Sequence, residues 1–487
     1  MAKRTAVVDL GSNSVRLVIF EKTSRYAFHI LSEYKRKVRL GENAYNNGKI
    51  LQPEAMKRTE NTLAYFKEVA LKYKCSKMLI VGTSALRDAP NSKDFIKRVQ
   101  KNLKLNIRCI DGRTESYLGG LAAINLLSNV KNATTLDIGG GSSELCLIEN
   151  GKIKDFISLD LGTVRLKELF YDRGKFKELE SFLEPVLKSI PKHFKNDKLI
   201  AIGGSLRAIS SSIMQKNSYP LKTLHEFSYD LEKESSHIKK ILNADTNFLL
   251  DCGIKKDRFD TIKEGTLIFL KIAQKLGVKE VITSGVGVRE GVFLNDILPA
   301  NKKFPANFNA SIRSLQDRFL GKEKSKIARF AKDIFESLQK MHGLNDEYKN
   351  TLITAAKLCN VGCALNFYFA NEHGAYFVLN ALNYNFSHQQ RALIAILIKL
   401  NGRKINSYSL DFKELLPENS ITSWLNFILA LAKILAQNHL SEEKINFELS
   451  KKTLFISCEK SLDIPKDELK KIFLPSALSL VLNQKST

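Results

Sequence analysis

The stretch Thr135-Leu-Asp-Ile-Gly-Gly-Gly-Ser-Ser-Glu144, with the apolar run Leu145 to Ile148 behind it, decides how the rest of the chain is read. Two short β-type runs flank a turn that carries glycines, hydroxyls and, at its edges, two carboxylates. Consecutive glycines let successive backbone N–H groups converge on an anion with no Cβ in the way. Asp137 and Glu144 stand where they could hold a divalent cation beside a phosphate. Alone, such a turn reads equally well as a tight hairpin without a ligand. A second copy changes the balance. Val7-Val8-Asp9-Leu10-Gly11-Ser12-Asn13-Ser14, followed by Val15 to Phe20, has the same layout, with Asp9 matching Asp137, Gly11 matching Gly139 and Ser14 matching Ser142. The offset, 137 − 9 = 128 residues, is about one domain length. Two related domains facing one ligand are expected.

Outward from these hairpins the order of elements repeats. Phe28–Val38 reads as sheet, Pro53–Tyr73 carries an apolar face at helical spacing, and Lys77–Val81 is a strand ending at Gly82. A helix over Ser92–Lys101, a strand over Ile107–Asp111 and a helix opening at Gly112 follow. In the second copy, Gly151–Leu159 is sheet and Phe176–Phe194 helix. Leu199–Ile202 is a strand ending at Gly203-Gly204-Ser205, with a helix from Leu206. A helical insertion fills about 220–277, and Glu280–Thr283 is a strand before a helix over Val288–Leu298. Each half is expected to be an α/β domain with a mixed sheet, 1–125 and 126–300. Ligands of such sheets bind beyond the carboxyl ends of the strands, on the rim shared with both hairpin turns. After Pro299 the character changes. Residues 301–487 read as a mostly helical third domain, with helices over Ser325–His342, Glu347–Phe369, His388–Leu400 and Ser423–Asn438 and a hairpin over 446–458.

Composition narrows the function classes. The chain has no apolar run of about 18 residues and opens Met-Ala-Lys-Arg without a signal-peptide pattern, so a cytoplasmic protein with no membrane span is expected. The seven cysteines are scattered, as expected of reduced thiols. The net charge of +25 calls for a polyanionic partner or surface. It is spread along the chain rather than gathered in a basic tail: 301–487 holds 26 basic against 17 acidic residues. That argues against a dedicated nucleic-acid arm and for an acidic substrate touching several domains.

The paired hairpins resemble those of the actin and sugar-kinase superfamily. In detail the chain resembles the exopolyphosphatase / guanosine pentaphosphate phosphohydrolase family. The resemblance rests on Asp9-Leu-Gly-Ser-Asn-Ser14, Val38-Arg-Leu-Gly-Glu42, Thr83-Ser-Ala-Leu-Arg-Asp-Ala89, Asp111–Glu115, Asp137–Leu145, Leu161-Gly-Thr-Val-Arg-Leu166, Ala201-Ile-Gly-Gly204 and Gly287-Val-Arg-Glu-Gly291. It implies two actin-like (ribonuclease H-like) domains and removal of a terminal phosphoryl group by water. That reaction needs anion cradles, a charge-neutralising metal and a base to orient the water.

Glu115 matches the family's catalytic glutamate; the alternative is an ordinary first-turn glutamate on a helix. Asp137 and Glu144 match its metal-coordinating acids, with Mg²⁺ the implied ion, and Asp9 contributes through water or simply ties its hairpin together. Phosphate binding is expected from Ser12, Asn13 and Ser14 on one side and from Gly140, Gly141, Ser142 and Ser143 on the other, with Gly203, Gly204 and Ser205 closing the rim. The fork of Arg87 suits phosphate oxygens, or else pairs with Asp88. Arg16 is a candidate for the more distant part of the substrate, and Arg165 and Arg258 are weaker ones that could merely brace helix ends.

The third domain resembles a degenerate His-Asp phosphohydrolase fold. Cys359 and Asn360 stand where that fold has its His-Asp pair, Lys326 stands for an earlier histidine, and His373 remains alone. A binding or dimerisation role is expected in place of a second catalytic centre, with a homodimer favoured. The leading expectation is an exophosphatase acting on inorganic polyphosphate, on guanosine pentaphosphate, or on both. A small-molecule kinase on the same scaffold and a non-catalytic sensor of polyphosphate or alarmone are the alternatives.

Overall fold

In the computed structural model, which describes residues 3–321, 326–405, 412–436, 445–458, 463–475 and 478–484, the chain forms two compact units, 1–308 and 309–487. The first begins with the hairpin of β1 (Lys3–Leu10) and β2 (Ser14–Lys22), extended by β3 (Phe28–Lys37). α1 (Pro53–Lys72) starts on a proline, whose missing N–H costs nothing at that position. It buries Leu63, Phe66, Val69 and Ala70. β4 (Lys77–Gly82), α2 (Ser84–Asp88), α3 (Ser92–Leu103) and β5 (Ile107–Cys109) complete a sheet of order β3-β2-β1-β4-β5.

After α4 (Gly112–Leu126) the pattern restarts with β6 (Ala133–Ile138), β7 (Ser143–Glu149) and β8 (Lys152–Leu159). Then come α5 (Thr163–Leu169), α6 (Phe176–Lys188), β9 (Lys198–Ile202), α7 (Gly204–Lys216), β10 (Ser228–Asp230), α8 (Leu231–Asn243), α9 (Thr246–Asp251), α10 (Ile262–Leu276), β11 (Glu280–Thr283) and α11 (Val288–Ile297). The second sheet runs β10-β11-β9-β6-β7-β8. Apart from the added edge strand β10, this is the order of the first sheet. In both, an antiparallel hairpin is joined to two parallel strands. The copies agree even in their irregularities. The β2–β3 ladder slips between Ile19 and Phe20, and the β7–β8 ladder slips between Leu147 and Ile148, the same offset that separates Asp9 from Asp137.

The two helices that end each copy cross over. α4 follows the first sheet but packs on the second, where Ser116 donates to the Leu145 carbonyl at 2.6 Å and Tyr117 meets Phe156 edge-on. α11 follows the second sheet but packs on the first. Its Phe293 stacks on Phe20 with centroids 4.3 Å apart and meets Phe28 at 4.9 Å, contacts of a kind that contribute about 0.5–1.5 kcal/mol each beyond burial. α4 and α11 cross in contact at Gly291, where a Cβ would lie 2.1 Å from the Leu118 carbonyl oxygen. The expected boundary at 125 groups α4 with the first sheet in sequence, whereas in space α4 packs on the second.

The unit 309–487 contains α12 (Ala310–Phe319), α13 (Ile327–Ser337), α14 (Gln339–His342), α15 (Asp346–Leu358), α16 (Ala370–Ala381), α17 (His388–Leu400) and α18 (Asn419–Ala436). β12 (Asn446–Ser450), β13 (Thr453–Cys458), α19 (Asp463–Leu469) and β14 (Ser479–Gln484) follow, with the strands in the order β12-β13-β14. The expected helix 347–369 is shorter: α15 ends at Leu358, and a 3-10 turn over Val361–Ala364 follows, in which Gly362 packs so close to Ala370 that a Cβ would lie 1.9 Å from its carbonyl oxygen. Position 325 and positions 437–438 of the expected helices lie outside the described residues. α18 has the length and mean hydropathy, 1.3, of a helix able to cross a membrane. Leu425 and Phe427 to Ala432 are all buried, and the helix packs on α13, α15 and α17, as a core helix does. Cys359 is buried, with its thiol 3.4 Å from the Ala356 carbonyl oxygen.

Candidate active site

The two hairpin turns converge at the carboxyl ends of the strands. The Gly11 N–H donates to the Ser14 carbonyl at 3.2 Å, and the Gly139 N–H to the Ser142 carbonyl at 2.9 Å, so both turns close in the same way. They touch: a Cβ on Gly140 would lie 2.9 Å from that of Ser12. Amides of Thr163 and Val164, at the start of α5, take the carbonyls of Gly139 (3.0 Å) and Gly140 (2.8 Å). In a planar trans peptide the N–H points opposite the carbonyl, so the N–H groups of the same peptide units are turned away from α5. Between the turns lies a cleft lined by Asp9, Ser12, Asn13, Ser14, Arg16, Glu115, Asp137, Gly140, Glu144, Gly204, Ser205 and Arg258 from among the expected residues.

Register explains how the acids meet. Asp9 lies opposite Arg16 in the first hairpin, and Asp137 opposite Glu144 in the second. Gly203 adopts φ +99°, a conformation open to glycine and strained for other residues, and a Cβ there would lie 2.8 Å from Asp137 Oδ1. Glu115 stands in the first turn of α4, which Asp111 caps by accepting from the Thr114 N–H at 2.6 Å. Arg87 donates to Glu115 Oε2 at 3.0 Å and to Ser142 Oγ at 3.1 Å, bridging α4 to the second hairpin. Ser158 donates to Glu144 Oε1 at 2.8 Å.

The carboxyls are all pushed upward. Burial, then the charge of Glu144, holds Glu115 well above the ordinary carboxylate range, with Arg87 opposing. Burial raises Glu144 to about 7 and Asp137 to about 6, Asp137 adding to the first and Arg207 opposing the second. Asp9 is raised by burial against the pull of Arg289 and Arg16. Beside them stands the opposite imbalance. Burial, then repulsion from Arg289, lowers Arg16; burial, then repulsion from Arg16 and Arg289, lowers Arg207 to about 10; Arg289 itself, against burial, is raised by the charges of Glu290 and Glu33. Glu33 accepts from Arg289 at 2.5 Å and lies 3.5 Å from Arg16. Buried acids and buried guanidinium groups thus line one cleft, an arrangement that suits a metal-bound phosphate.

Some expected residues face elsewhere. Arg87 is engaged by Glu115 and Ser142 and is not among the residues lining the cleft. Ser143 donates to the Leu161 carbonyl at 2.5 Å, and Gly141 packs toward Tyr45 and Ser84. Arg165 is buried, donating to the Gly141 carbonyl at 2.8 Å and to Asp88 at 2.9 Å, with its guanidinium over the Tyr45 ring; it braces the turn. Arg258 lies over Gly204, where a Cβ would strike its guanidinium at 2.3 Å. The cleft also holds Lys35, Lys37, Thr163, Arg207 and Arg289, which the sequence reading did not single out. Arg289 lies inside Gly287-Val-Arg-Glu-Gly291, and its position just past a glycine-ended strand is the signal that marks it.

This arrangement coincides with what comparison finds. The model of the Ppx/GppA phosphatase family matches residues 18–300, and that of Ppx/GppA phosphatase domain III matches 309–471. Among solved structures, a Ppx/GppA family member from Aquifex aeolicus is 25% identical with a TM-score of 0.51, the match covering 61% of this chain and 98% of that one. An exopolyphosphatase from Cytophaga hutchinsonii is 22% identical with a TM-score of 0.55, over 61% of this chain and 98% of that one, a likeness of fold. With duplicated sheets, two facing hairpins and both family models in sequence order, the chain belongs to the Ppx/GppA phosphatase family.

Proposed function

We propose that the protein is a Mg²⁺-dependent exophosphatase that removes the terminal phosphate of inorganic polyphosphate, of guanosine pentaphosphate, or of both. The observation that carries this reading is Glu115, held by Arg87 at a cleft lined by both buried acids and guanidinium groups. Ionised Glu115 accepts a proton from water as it attacks the terminal phosphorus, and Arg87 fixes the carboxylate's direction. Amide edges of both turns, with Ser12 and Asn13, hold the phosphoryl oxygens. Arg16, Arg207 and Arg289 face the leaving chain and stabilise its charge.

Mg²⁺ fits the acids present. Asp137 and Glu144 offer hard oxygen donors; burial raises both, with Asp9 adding to Asp137 and Asp137 to Glu144, and a bound cation would offset the cost of their buried charge. Mg²⁺ takes one or two carboxylates plus phosphate oxygens and waters, so it does not need a larger cage; among the described residues no cluster of three His, Cys, Asp or Glu suited to a metal occurs. When bound it would neutralise phosphate charge. The deciding experiment is release of orthophosphate from polyphosphate and from guanosine pentaphosphate, with Mg²⁺ and with EDTA. No release from either substrate leaves a binding protein.

The pH profile carries a signed expectation. Glu115 works as a base only when ionised, and its pKa lies well above 4.5, so kcat falls as pH drops through that raised value. Arg87→Gln removes the charge that opposes the rise. The acid limb is expected to move to higher pH by about 1 unit or more. An unmoved limb in an active variant would show that another group titrates.

Self-association is part of the proposal. Leu365, Phe367, Tyr368, Phe369 and Tyr376 are each at least 65% exposed, in and beside a stretch without charge from Leu358 to Asn371. At roughly 150 Å² or more per aromatic side chain, the patch exceeds the few hundred Å² usual for a monomer and approaches one side of a standard interface, about 800 Å². In a chain of net charge +25 it is a surface where two copies meet without repulsion. Sedimentation is expected to give a dimer for the wild type and a monomer for Phe367→Ser/Tyr368→Ser. A monomeric wild type at micromolar concentration ends this part of the reading.

A further inference from the structure

We infer that Lys35 and Lys37 form a separate anion-binding row for the trailing phosphates of a long chain, held in reserve by Asp257 and Asp260. The inference rests on the proposed polyphosphate reading and adds to it a residue-level device for chain length. β3 is the edge strand of the first sheet, and Lys37 and Lys35 lie beside Ser14 and Arg16 in its register with β2. Alternation along a strand puts Glu33, Lys35 and Lys37 on one face, and Arg36 on the other, where its guanidinium lies over Tyr65. The face carrying the two lysines is the cleft face. Two residues of strand span about 6–7 Å, so the pair suits successive parts of one chain better than a single phosphate.

Both ammonium groups already hold carboxylates from the other half of the unit. Lys35 Nζ lies 2.8 Å from Asp257 Oδ2, and Lys37 Nζ lies 2.6 Å from Asp260 Oδ2. The acids flank Arg258, the residue that lies over Gly204. All four side chains are between 30% and 48% exposed. Ion pairs that wet contribute little to stability, and a polyanion presenting several charges at once exchanges for them readily. Two carboxylates therefore occupy lysines on the cleft wall, and a chain long enough to reach both displaces them. A short anion that reaches neither gains nothing from the row.

A structural brace and a displaceable latch predict opposite signs. Calorimetric titration of the intact protein with long-chain sodium polyphosphate, and separately with tripolyphosphate, distinguishes them. Asp257→Asn/Asp260→Asn is expected to bind the long chain about fivefold more tightly, because two competing charges are gone. Lys35→Met/Lys37→Met is expected to bind it about tenfold more weakly or worse, and tripolyphosphate is expected to change less than twofold in either variant. Thermal melting of each variant confirms that it is folded. Equal or weaker long-chain binding by the folded Asn variant overturns the inference, as does an equal effect on tripolyphosphate. If the wild type binds the long chain with this pattern yet releases no orthophosphate, the row stands and the hydrolytic reading fails.

Discussion

Glu115→Gln is expected to lower kcat for phosphate release by about 10²–10⁴, with little change in KM. The amide keeps the size of the side chain and a partner for Arg87, so the geometry at Ser142 survives. Its effect on stability has a definite sign. The folded pKa of Glu115 is raised, so the ionised carboxylate costs stability above that pKa, and the cost disappears as pH falls through it. The variant should therefore melt at or above the wild-type temperature at pH 8, and the difference should shrink toward pH 5. Steady-state release assays beside melting curves at both pH values test this. A fully active variant would remove Glu115 from the reaction; an inactive variant that also melts far below the wild type would mark it as structural.

Gly291→Ala should have the largest effect away from the cleft. A Cβ at this position would sit 2.1 Å from the Leu118 carbonyl oxygen, and backbone cannot swing aside as a flexible side chain can. Forced separation of α4 and α11 is expected to cost about 3 kcal/mol, a fall in Tm of roughly 5–10 °C for a unit of this size. Activity should fall too, by about 10-fold or more, because Leu118 is one helical turn from Glu115. Gly321→Ala is a useful control, since nothing lies within 4 Å of a Cβ there. Equal melting of the two variants would show that the crossing helices can part without penalty.

The fold was legible where it repeats. Two acids 128 residues apart, each before a glycine turn, correctly implied duplicated sheets, because strand pairing within a hairpin is local and its pattern survives in a single sequence. What the pattern could not carry was the exchange of α4 and α11 between the sheets. An amphipathic helix declares that it has a buried face but not which sheet receives it. The three-residue strand β10 was hidden for a related reason: Ser228–Asp230 is too short for alternation to register.

At the site, residues tied to backbone turns were readable, and those defined by reach were not. Asp9, Glu115, Asp137 and Glu144 follow directly from their strands and helix start, and all four line the cleft. Lys35, Lys37 and Arg207 sit on regular elements whose sequence carries no mark of the cleft they face. Arg87 and Arg165 show the converse: arginines in plausible anion-binding stretches that are consumed by carboxylates and carbonyls within the protein. Such residues hold geometry, and only the ion pairs reveal it.

The register that sets Arg16 opposite Asp9 and Glu144 opposite Asp137 has one more consequence. Two identical cradles related by duplication would accept a linear ligand in either direction. Exchanging one carboxylate for one guanidinium at matching places breaks that equivalence and gives the cleft a polarity along its length. On the proposed polyphosphate reading, a chain then has a preferred sense of entry, set by a single difference between two copies of one hairpin.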